Sequence, residues 1–585
     1  TELRRLNEML LQKLHEEILM GRRSNRSRPL GSNFQLRRGH IEAVDPKVFE
    51  RQPQALLEIF VLLARYGSVI EGVHAETIRL IRNHCYLIDD SFRADPRCNE
   101  LFLEFLREPF GVSHQLWRMH RYGVLDRFFP EIERVSGLMQ HDLFHVYTVD
   151  EHTLWTVRNL RLFTRPEWVP EMVECHDLYR NLEKPELLIL AALLHDIGKG
   201  LGGNHSQLGA EIAEKFCQQL GLHNLDRELV SWLVKVHLDM SSLSQNADTS
   251  DPDIIARFAD HVGSLNRLNQ LYLLTIADMR ATGPTVWNSW KGALLKQLYN
   301  ATREFLQAKG TSEPLIIDPL LIRRQALDRL PAEGVDKQQA ETLWQRFGEE
   351  YFLRFSPAEI AWQSKHLLTV LNRGRDQVVA TRNFPEQGAT GIFVYCRDRE
   401  YLFSALSGAL DRQMLDIVDA RILTTADGYA IDTFMVLDDS GALVSDPQQR
   451  QRIRHTIRRL LSAETLTADP GSRRETRQKK AFGFPASVEF AAVNGNQQVV
   501  MHLTCYDQPG VLSQVSAILA DHQIPIVDAR INTYGERVED HFTLDICNLP
   551  EHQREQHFEQ ISDKIRAALD PDEGPQNSRQ AERKT

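Results

Sequence analysis

The hydrophobic positions of the chain change their spacing near residue 388. Before that point, apolar residues recur every three or four positions, as in ELRRLNEMLLQKLHEEILM (2–20) and ALLEIFVLLARYG (55–67), which predicts helices. After it, they stand in short blocks, as in GIFVYC (391–396) and YAIDTFMVL (429–437), which predicts strands. We therefore expect a multidomain protein with an α-helical region followed by α+β domains.

The expected domains follow from these patterns and from the breaks between them. Residues 21–40 are rich in Arg, Ser and Gly and are predicted to form a solvated loop within an all-helical lead-in domain. The polar C-terminal residues are predicted to be disordered. The expected boundaries are 1–140 for the lead-in domain, 141–282 for a helical domain rich in polar chemistry, 283–388 for a helical linker domain, 389–493 and 497–572 for two α+β domains, and 573–585 for the tail.

The two α+β domains are copies of one unit. Asp398 precedes the tetrapeptide Asp419-Ala-Arg-Ile by 21 residues, and Asp507 precedes Asp528-Ala-Arg-Ile by the same distance. This self-similarity indicates an internal duplication, with the order β-α-β-β-α in each copy. The segment VEFAAV (488–493) is predicted to add a fourth strand to the first copy.

Candidate chemistry begins where the apolar run LLILAALL (187–194) ends in His195 and Asp196. The run predicts a buried helix, and Gly198 and Gly200 permit a sharp exit from it. A buried imidazole beside a buried carboxylate is costly unless something pairs with both, and a divalent metal is the usual partner. The alternative is a hydrogen-bonded histidine beside a helix-terminal carboxylate, without a metal.

Further histidines and one aspartate stand near the ends of predicted helices in the same domain. Polar residues at such ends can converge on one cavity between the helices. Asp150 is a candidate N-cap for the helix that would carry the first of these histidines. The candidates are His152, His205, His237 and Asp278.

Three other residues of this domain have two interpretations each. Lys199 stands in the glycine-flanked loop after Asp196, where it is either a point charge for a phosphate oxygen or a surface lysine. His141 and His145 have the i, i+4 spacing of helical ligands, but a supporting or structural role is favoured.

Composition narrows the class of protein further. The chain has 585 residues, of which 42% are hydrophobic and 25% charged, as in a soluble globular protein. A net charge of -11 argues against nonspecific binding to nucleic acid, and the apolar runs are too short to span a membrane. Seven cysteines without a CxxC pair indicate reduced thiols and a cytoplasmic location. The chain opens on Thr1 within a helical pattern, so we expect a piece of a longer protein.

The HD pair, with a histidine before it and a distal aspartate after it, resembles the HD superfamily of metal-dependent phosphohydrolases. That superfamily is all-helical, and the resemblance implies a divalent metal, with manganese or magnesium favoured over iron or zinc. Members with two metals carry two extra histidines and use the HD aspartate as a bridge. The resemblance implies metal ligands at His152, His195, Asp196, His205, His237 and Asp278, and catalytic roles for Asp196, Lys199 and His205.

The duplicated unit resembles ACT domains, which are ferredoxin-like regulatory modules that commonly bind amino acids. DQPGVLS (507–513) is the usual start of their ligand loop and helix, whereas DREYLF (398–403) keeps Asp398 but lacks the Pro-Gly. The resemblance implies that Asp398 and Asp507 hold the amino group of a ligand, and that helix amides near Gly510 take its carboxylate. Purely structural packing of the two units is the alternative.

An HD domain followed by two ACT domains closely resembles the bifunctional uridylyltransferase/uridylyl-removing enzymes of nitrogen signalling. The segments MQHDLFHVYTVDEHT, NSWK, YLFSALSGALDR and GERVEDHF carry this resemblance. It implies that the substrate is the PII signal protein with UMP on a tyrosine, and that glutamine is the effector. The family's N-terminal nucleotidyltransferase domain should carry a Gly-Ser loop and paired aspartates, which the sequence lacks, so we expect only the hydrolytic half.

Two other functions fit the same sequence. The generic HD ligand set also suits hydrolysis of a free nucleotide, with an amino acid bound to the ACT domains as regulator. A catalytically silent PII-binding sensor is the other alternative, but the full set of candidate ligands argues against it.

Overall fold

The computed structural model describes most of the chain. Its backbone contacts separate the protein into two compact units, Thr1–Ser241 with Val262–Pro284, and Ser242–His261 with Thr285–Thr585. No helix in the described part is long and apolar enough to cross a membrane. The described residues are 27–139, 147–165, 169–247, 252–283, 286–308, 319–466, 485–492, 497–506, 508, 510–531, 533–534 and 537–570, with Asn7 and Leu10.

The first unit contains a small four-stranded sheet where a loop and an all-helical domain were expected, so that expectation is wrong. Gly31 and Gly39 turn the chain with φ angles of 83° and 84°, which glycine adopts without strain. Phe34 and Ile41 are fully buried beneath the sheet. Strands this short show too few alternations to be predicted from sequence. The strands are β1 (Ser27–Leu30), β2 (Phe34–Arg37), β3 (His40–Ala43) and β4 (Gly72–Val73).

Helices dominate the described chain from residue 48 to residue 282. The apolar helix Pro185–Leu194 is buried along its whole length because it packs against the helices Pro96–Arg107, Val149–Leu162, Asn224–Val236 and Leu265–Thr282. These helices are α1 (Val48–Arg51), α2 (Ala55–Arg65), α3 (Ala75–His84), α4 (Asp90–Ala94), α5 (Pro96–Arg107), α6 (Val112–Tyr122), α7 (Val124–Phe128), α8 (Pro130–Val135), α9 (Val149–Leu162), α10 (Val169–Arg180), α11 (Pro185–Leu194), α12 (His205–Gln219), α13 (Asn224–Val236), α14 (Asp239–Asn246), α15 (Pro252–Val262) and α16 (Leu265–Thr282).

The second unit continues with helices that cover one face of its sheet. A capping box begins the last of them: Ser356 accepts from the amide of Glu359, and the Glu359 carboxylate accepts from the amide of Ser356. Trp344 is buried and donates from its indole N–H to Ser364. The helices are α17 (Ser289–Ala308), α18 (Pro319–Arg329), α19 (Lys337–Trp344), α20 (Glu349–Arg354) and α21 (Pro357–Leu371).

One sheet runs through both copies of the duplicated unit, and two helices of each copy pack on it. The elements are β5 (Val378–Phe384), β6 (Ala389–Arg397), α22 (Leu402–Asp411), β7 (Asp416–Thr424), β8 (Tyr429–Leu437), α23 (Pro447–Leu461), β9 (Ser487–Ala492), β10 (Gln498–Tyr506), α24 (Val511–Asp521), β11 (Ile526–Arg530), β12 (Thr533–Tyr534), β13 (Arg537–Asp545) and α25 (Arg554–Leu569). The strand order of the sheet is β5-β6-β8-β7-β11-β13-β10-β9, and β12 pairs with β13.

The fourth strand of the first copy is not the predicted segment 488–493, so that prediction is wrong. β9, which contains this segment, pairs antiparallel with β10 of the second copy. β5 takes its place by pairing with β6, within residues 283–388 that were expected to be mostly helical. In both cases a short connection joins the paired strands, and neighbours in sequence commonly pair across such turns.

The two copies join edge to edge in a pseudo-symmetric arrangement. β7 and β11 pair antiparallel, with Ala420 opposite Ala529. α22 and α24 meet at equivalent serines, where the hydroxyls of Ser404 and Ser513 each donate to the backbone carbonyl of the other residue. The expected fold class, a helical HD region followed by two ferredoxin-like units, is confirmed.

Candidate metal centre

The HD pair terminates a buried helix, as the apolar run predicts. His195 is the C-cap of α11 and is fully buried, and the neighbouring Asp196 is 2% exposed. Four other helices bring the remaining predicted ligands to the same place. These are His152 in the first turn of α9, His205 at the start of α12, His237 as the C-cap of α13, and Asp278 in α16.

One group of donor atoms surrounds His195. The Nε2 of His152 lies 3.1 Å from the Nε2 of His195 and 2.9 Å from Oδ1 of Asp278. Oδ2 of Asp196 lies 3.3 Å from the Nε2 of His195 and 3.5 Å from that of His152. Two imidazole nitrogens and two carboxylates therefore converge on a volume suited to one cation.

A second group shares Asp196 with the first. Oδ1 of Asp196 lies 3.8 Å from the Nε2 of His205 and 3.8 Å from the Nε2 of His237. Within each of the sets His152–His195–Asp196 and Asp196–His205–His237, the donor atoms lie within 4.8 Å of one another. Asp196 thus presents one oxygen to each group, as a bridging carboxylate would.

The hydrogen bonds of the histidines suit metal binding. The Nδ1 atoms of His195 and His237 lie 2.8 and 2.7 Å from the carbonyls of Ala192 and Val234. When Nδ1 donates to these carbonyls in a neutral ring, the Nε2 lone pair points into the site. The buried Nε2 of His205 has no hydrogen-bond partner among the described residues. Neutral imidazoles and carboxylates form a donor set that fits zinc, iron or manganese.

The electrostatics of the group favour a bound cation. Burial lowers the pKa of His195, but the charges of Asp196 and Asp278 outweigh burial and raise this pKa to about 10. Burial raises the pKa of both aspartates, yet His195 beside them holds each pKa well below its ordinary value. Burial, reinforced by the charge of His195, lowers the pKa of His237 to about 4. A bound cation would replace the proton of His195.

Lys199 is buried next to this centre, at 8% exposure, and is therefore not the surface lysine of the alternative interpretation. Its Nζ lies 2.7 Å from Oδ2 of Asp196. Gly198 lets the loop approach α12 closely, because a Cβ there would lie 2.1 Å from the carbonyl oxygen of His205. The loop geometry therefore requires glycine at position 198.

Asp150 does not cap α9, and that prediction is wrong. The N-cap is Thr148, and Asp150 lies inside the first turn, with Oδ1 accepting from the amide of Gly137. Its Oδ2 lies 3.0 Å from Nε2 of His120, whose Nδ1 lies 2.7 Å from Oδ1 of Asp126. The sequence shows no local signal for this group, because His120 is a single histidine 30 residues from its partner.

Carboxylates on both sides determine the ionisation of His120. Burial lowers its pKa, but hydrogen bonds and charge from Asp126 and Asp150 outweigh burial and raise the pKa to about 9. Burial raises the pKa of Asp150, whereas the contact with His120 and the amide of Gly137 bring it down to about 2. The imidazolium therefore donates to both carboxylates at neutral pH.

The predicted amino-acid sites lie in the second unit. In the first copy, Oδ2 of Asp398 accepts from the Thr424 hydroxyl at 2.9 Å. Tyr401, at the N-cap of α22, has φ 59°, and Gly510 has φ 78° at the equivalent N-cap of α24. Both copies thus use the same left-handed turn, but only the second fills it with glycine. Asp507, like His141 and His145, lies outside the described residues.

Comparison with known protein families identifies the class of this site. Residues 149–264, which span four of the five ligand-bearing helices, match the HD domain. Residues 34–128 match the third domain of the uridylyltransferase GlnD, and residues 322–366 match its fifth domain. The chain therefore contains an HD domain, which implies divalent-metal dependence.

Several curated relatives that match most of the chain carry the same name. The bifunctional uridylyltransferase/uridylyl-removing enzyme of Nitrosococcus oceani is 41% identical over 553 residues, which cover 93% of this chain and 61% of the relative. The enzymes of the same name from Azotobacter vinelandii and Pseudomonas putida strain W619 are 42% and 41% identical over 551 residues, with the same coverage. The homologues of this chain are thus bifunctional uridylyltransferase/uridylyl-removing enzymes, and the chain spans about three fifths of their length.

Proposed function

We propose that this chain is a divalent-metal-dependent phosphodiesterase that removes UMP from a uridylylated tyrosine of the PII signal protein. The observation that carries the proposal is the pair of donor groups that share Asp196. The names of the homologues, which include a uridylyl-removing activity, support this choice of substrate. Of the two metals that the family resemblance favours, manganese is the one proposed, because magnesium prefers oxygen ligands and this donor set is rich in imidazole. The reduced cysteines fit a cytoplasmic location.

The chain's own residues supply the framework for this reaction. Divalent cations would provide positive charge for the phosphoryl oxygens and would acidify a water nucleophile. His152, His195 and Asp278 would hold one cation, His205 and His237 the other, and Asp196 both. Burial of these side chains excludes bulk water and strengthens every charge interaction among them.

Lys199 and His205 are proposed to contact the substrate side of the centre. The Lys199 ammonium is a compact cation beside Asp196, so it can pair with a phosphate oxygen without leaving the site. His205 has the most exposed side chain of the six proposed ligands, at 31%. Burial lowers its pKa, which keeps the ring neutral at pH 7, as a metal ligand must be.

Glutamine is proposed to regulate the reaction by binding to the two ACT units. The candidate contacts are Asp398 in the first copy, and Asp507 with the helix start at Gly510 in the second. Regulation requires two states with different affinity for glutamine, because a ligand that binds both equally shifts nothing. Coupling of this kind is typically worth about 1–3 kcal/mol, or roughly 5- to 150-fold in rate or affinity.

The test is hydrolysis by the purified chain in manganese, with uridylylated PII and free nucleotides as parallel substrates. We expect UMP release from PII, and a higher rate when glutamine is added. His195→Ala combined with Asp196→Ala should abolish release while circular dichroism retains the helical signal. Hydrolysis of free nucleotides alone would favour the nucleotide phosphohydrolase, and unchanged activity in the double variant would refute the HD site.

A further inference from the structure

Two contacts tie the helices before residue 139 to the backbone beside the proposed ligands. The first is the buried group in which His120 bridges Asp126 and Asp150. His120 lies on α6, and Asp150 lies on α9 two residues before His152. The side chains of His120 and Asp150 are 5% and 6% exposed, so water does not weaken this contact.

The second contact holds the loop that follows the HD pair. Arg134, on α8, donates from Nη2 to the carbonyl oxygen of Ile197 at 3.0 Å. Ile197 immediately follows Asp196 and is itself buried, at 2% exposure. A charged donor from another helix therefore holds the buried carbonyl that directly follows Asp196, although the Arg134 side chain is itself exposed.

Both contacts are made to backbone or side chains within two residues of a proposed ligand. Asp150 and His152 lie in the same helical turn, so a shift of Asp150 moves the His152 ring with the backbone. Gly137, whose amide donates to Oδ1 of Asp150, follows Arg134 by three residues, so the segment 134–137 contacts both the turn that carries His152 and the loop after Asp196. The segment therefore acts on both donor groups.

We propose that His120 and Arg134 are positioning residues for the metal centre: His120 orients the helix turn that carries His152, and Arg134 orients the loop that carries Asp196. The inference rests on the metal-binding part of the proposed function. Partners that hydrogen-bond a metal ligand directly typically contribute 10- to 100-fold to metal affinity, and His120 and Arg134 act on the backbone beside the ligands instead. Neither residue needs to touch a substrate for this effect.

The test is manganese binding to the full chain, measured by calorimetry, with the visible absorption of the cobalt-loaded protein as a probe of ligand geometry. We expect His120→Gln and Arg134→Gln each to weaken manganese binding by up to about 10-fold, the lower end of the range for direct partners of a ligand, and to change the cobalt spectrum. Arg134→Lys keeps a cationic donor and should recover most of the affinity. His114→Gln, an exposed histidine on α6, and Arg79→Gln, an exposed arginine on α3, should bind as the parent does.

Different results would contradict the positioning role of His120 and Arg134 and the metal centre itself. Parent affinity and an unchanged cobalt spectrum in both glutamine variants would overturn the positioning role while leaving the metal centre intact. If His120→Gln loses its helical signal, the comparison of Arg134→Gln with Arg134→Lys tests the proposal. An equal loss of metal affinity in these two variants would contradict the role of Arg134 as a hydrogen-bond donor. A parent chain that binds neither metal would refute the centre itself, and the inference with it.

Discussion

Replacing Asp196 by Asn tests the arrangement most directly, because among the described residues only Asp196 belongs to both donor groups. The substitution keeps the shape of the side chain and removes its charge. Lys199, 2.7 Å away, and protonated His195, 3.3 Å away, then face a neutral amide. Asp278 still lies 3.5 Å from His195 and compensates part of the loss.

Asp196→Asn should lower the free energy of unfolding both without metal and with metal bound. Removing one partner of a buried ion pair costs ~3–5 kcal/mol, and the remaining Asp278 places the metal-free variant near the lower value, ~3 kcal/mol. Metal adds a separate contribution: manganese at a thousandfold excess over its Kd stabilises the folded parent by ~4.1 kcal/mol per site. Asp196→Asn should lose nearly all of that stabilisation, since both groups lose their shared carboxylate.

The assay is urea unfolding with and without manganese, together with metal content after gel filtration. His152→Ala and His237→Ala are the matched comparisons, because each removes a ligand from only one group. Each should retain metal in the other group, whereas Asp196→Asn should retain none. Full stabilisation of Asp196→Asn by manganese, or loss of both metals from His152→Ala, would refute a shared ligand.

Three further predictions address the loop, the pH dependence and the ACT units. Gly198→Ala forces a Cβ to within 2.1 Å of the carbonyl oxygen of His205, so it should cost about 1–3 kcal/mol in urea unfolding and weaken metal binding. Gly348→Ala, with nothing within 4 Å of the added Cβ, is the control, and an equal effect of the two would contradict close packing. Burial, with His502 and Arg530 nearby, lowers the pKa of His541 to about 4. The neutral ring is therefore favoured in the folded state, and its contribution to stability is present above pH 6.5 and is lost as the pH falls towards 4. His541→Phe should have a smaller drop in unfolding midpoint between pH 7.5 and pH 5, and an undiminished drop would assign the pH dependence to other groups. Asp507→Ala should weaken glutamine binding more than Asp398→Ala, because only the second copy has the Pro-Gly start and Asp398 already accepts a hydrogen bond from Thr424. Calorimetry decides this, and parent-like binding by both variants would show that the sensor lies elsewhere.

The sequence alone was informative wherever a signal is local and long. The eight apolar residues before His195 predict a buried helix, because no exposed helix can be apolar on all sides. The duplicated unit is visible because two copies repeat the same spacing over a whole domain. The sequence therefore predicts the fold class and the candidate ligands.

The sequence does not predict the short strands or which strands pair with each other. Four-residue strands such as β2 carry too few alternations to stand out from a polar loop. The pairing of β9 with β10 depends on which sheet edge is available, and the strand's own residues do not specify that edge. β6 and β10 are equivalent strands of the two copies, but their burial differs. β6 is buried on both faces, whereas buried and partly exposed residues alternate along β10. The difference arises because helices of the linker cover the outer face of the first copy.

The arrangement of the candidate metal ligands depends on the tertiary structure. Sequence places six polar side chains at the ends of helices, but the distances among their donor atoms depend on how five helices pack. The contacts of His120 and Arg134 join residues 30 and 63 positions apart, and neither residue differs from an ordinary helical histidine or arginine in the sequence. Local patterns determine which side chains a helix carries, whereas packing determines which of them meet, because contacts between distant segments form only when the helices are assembled.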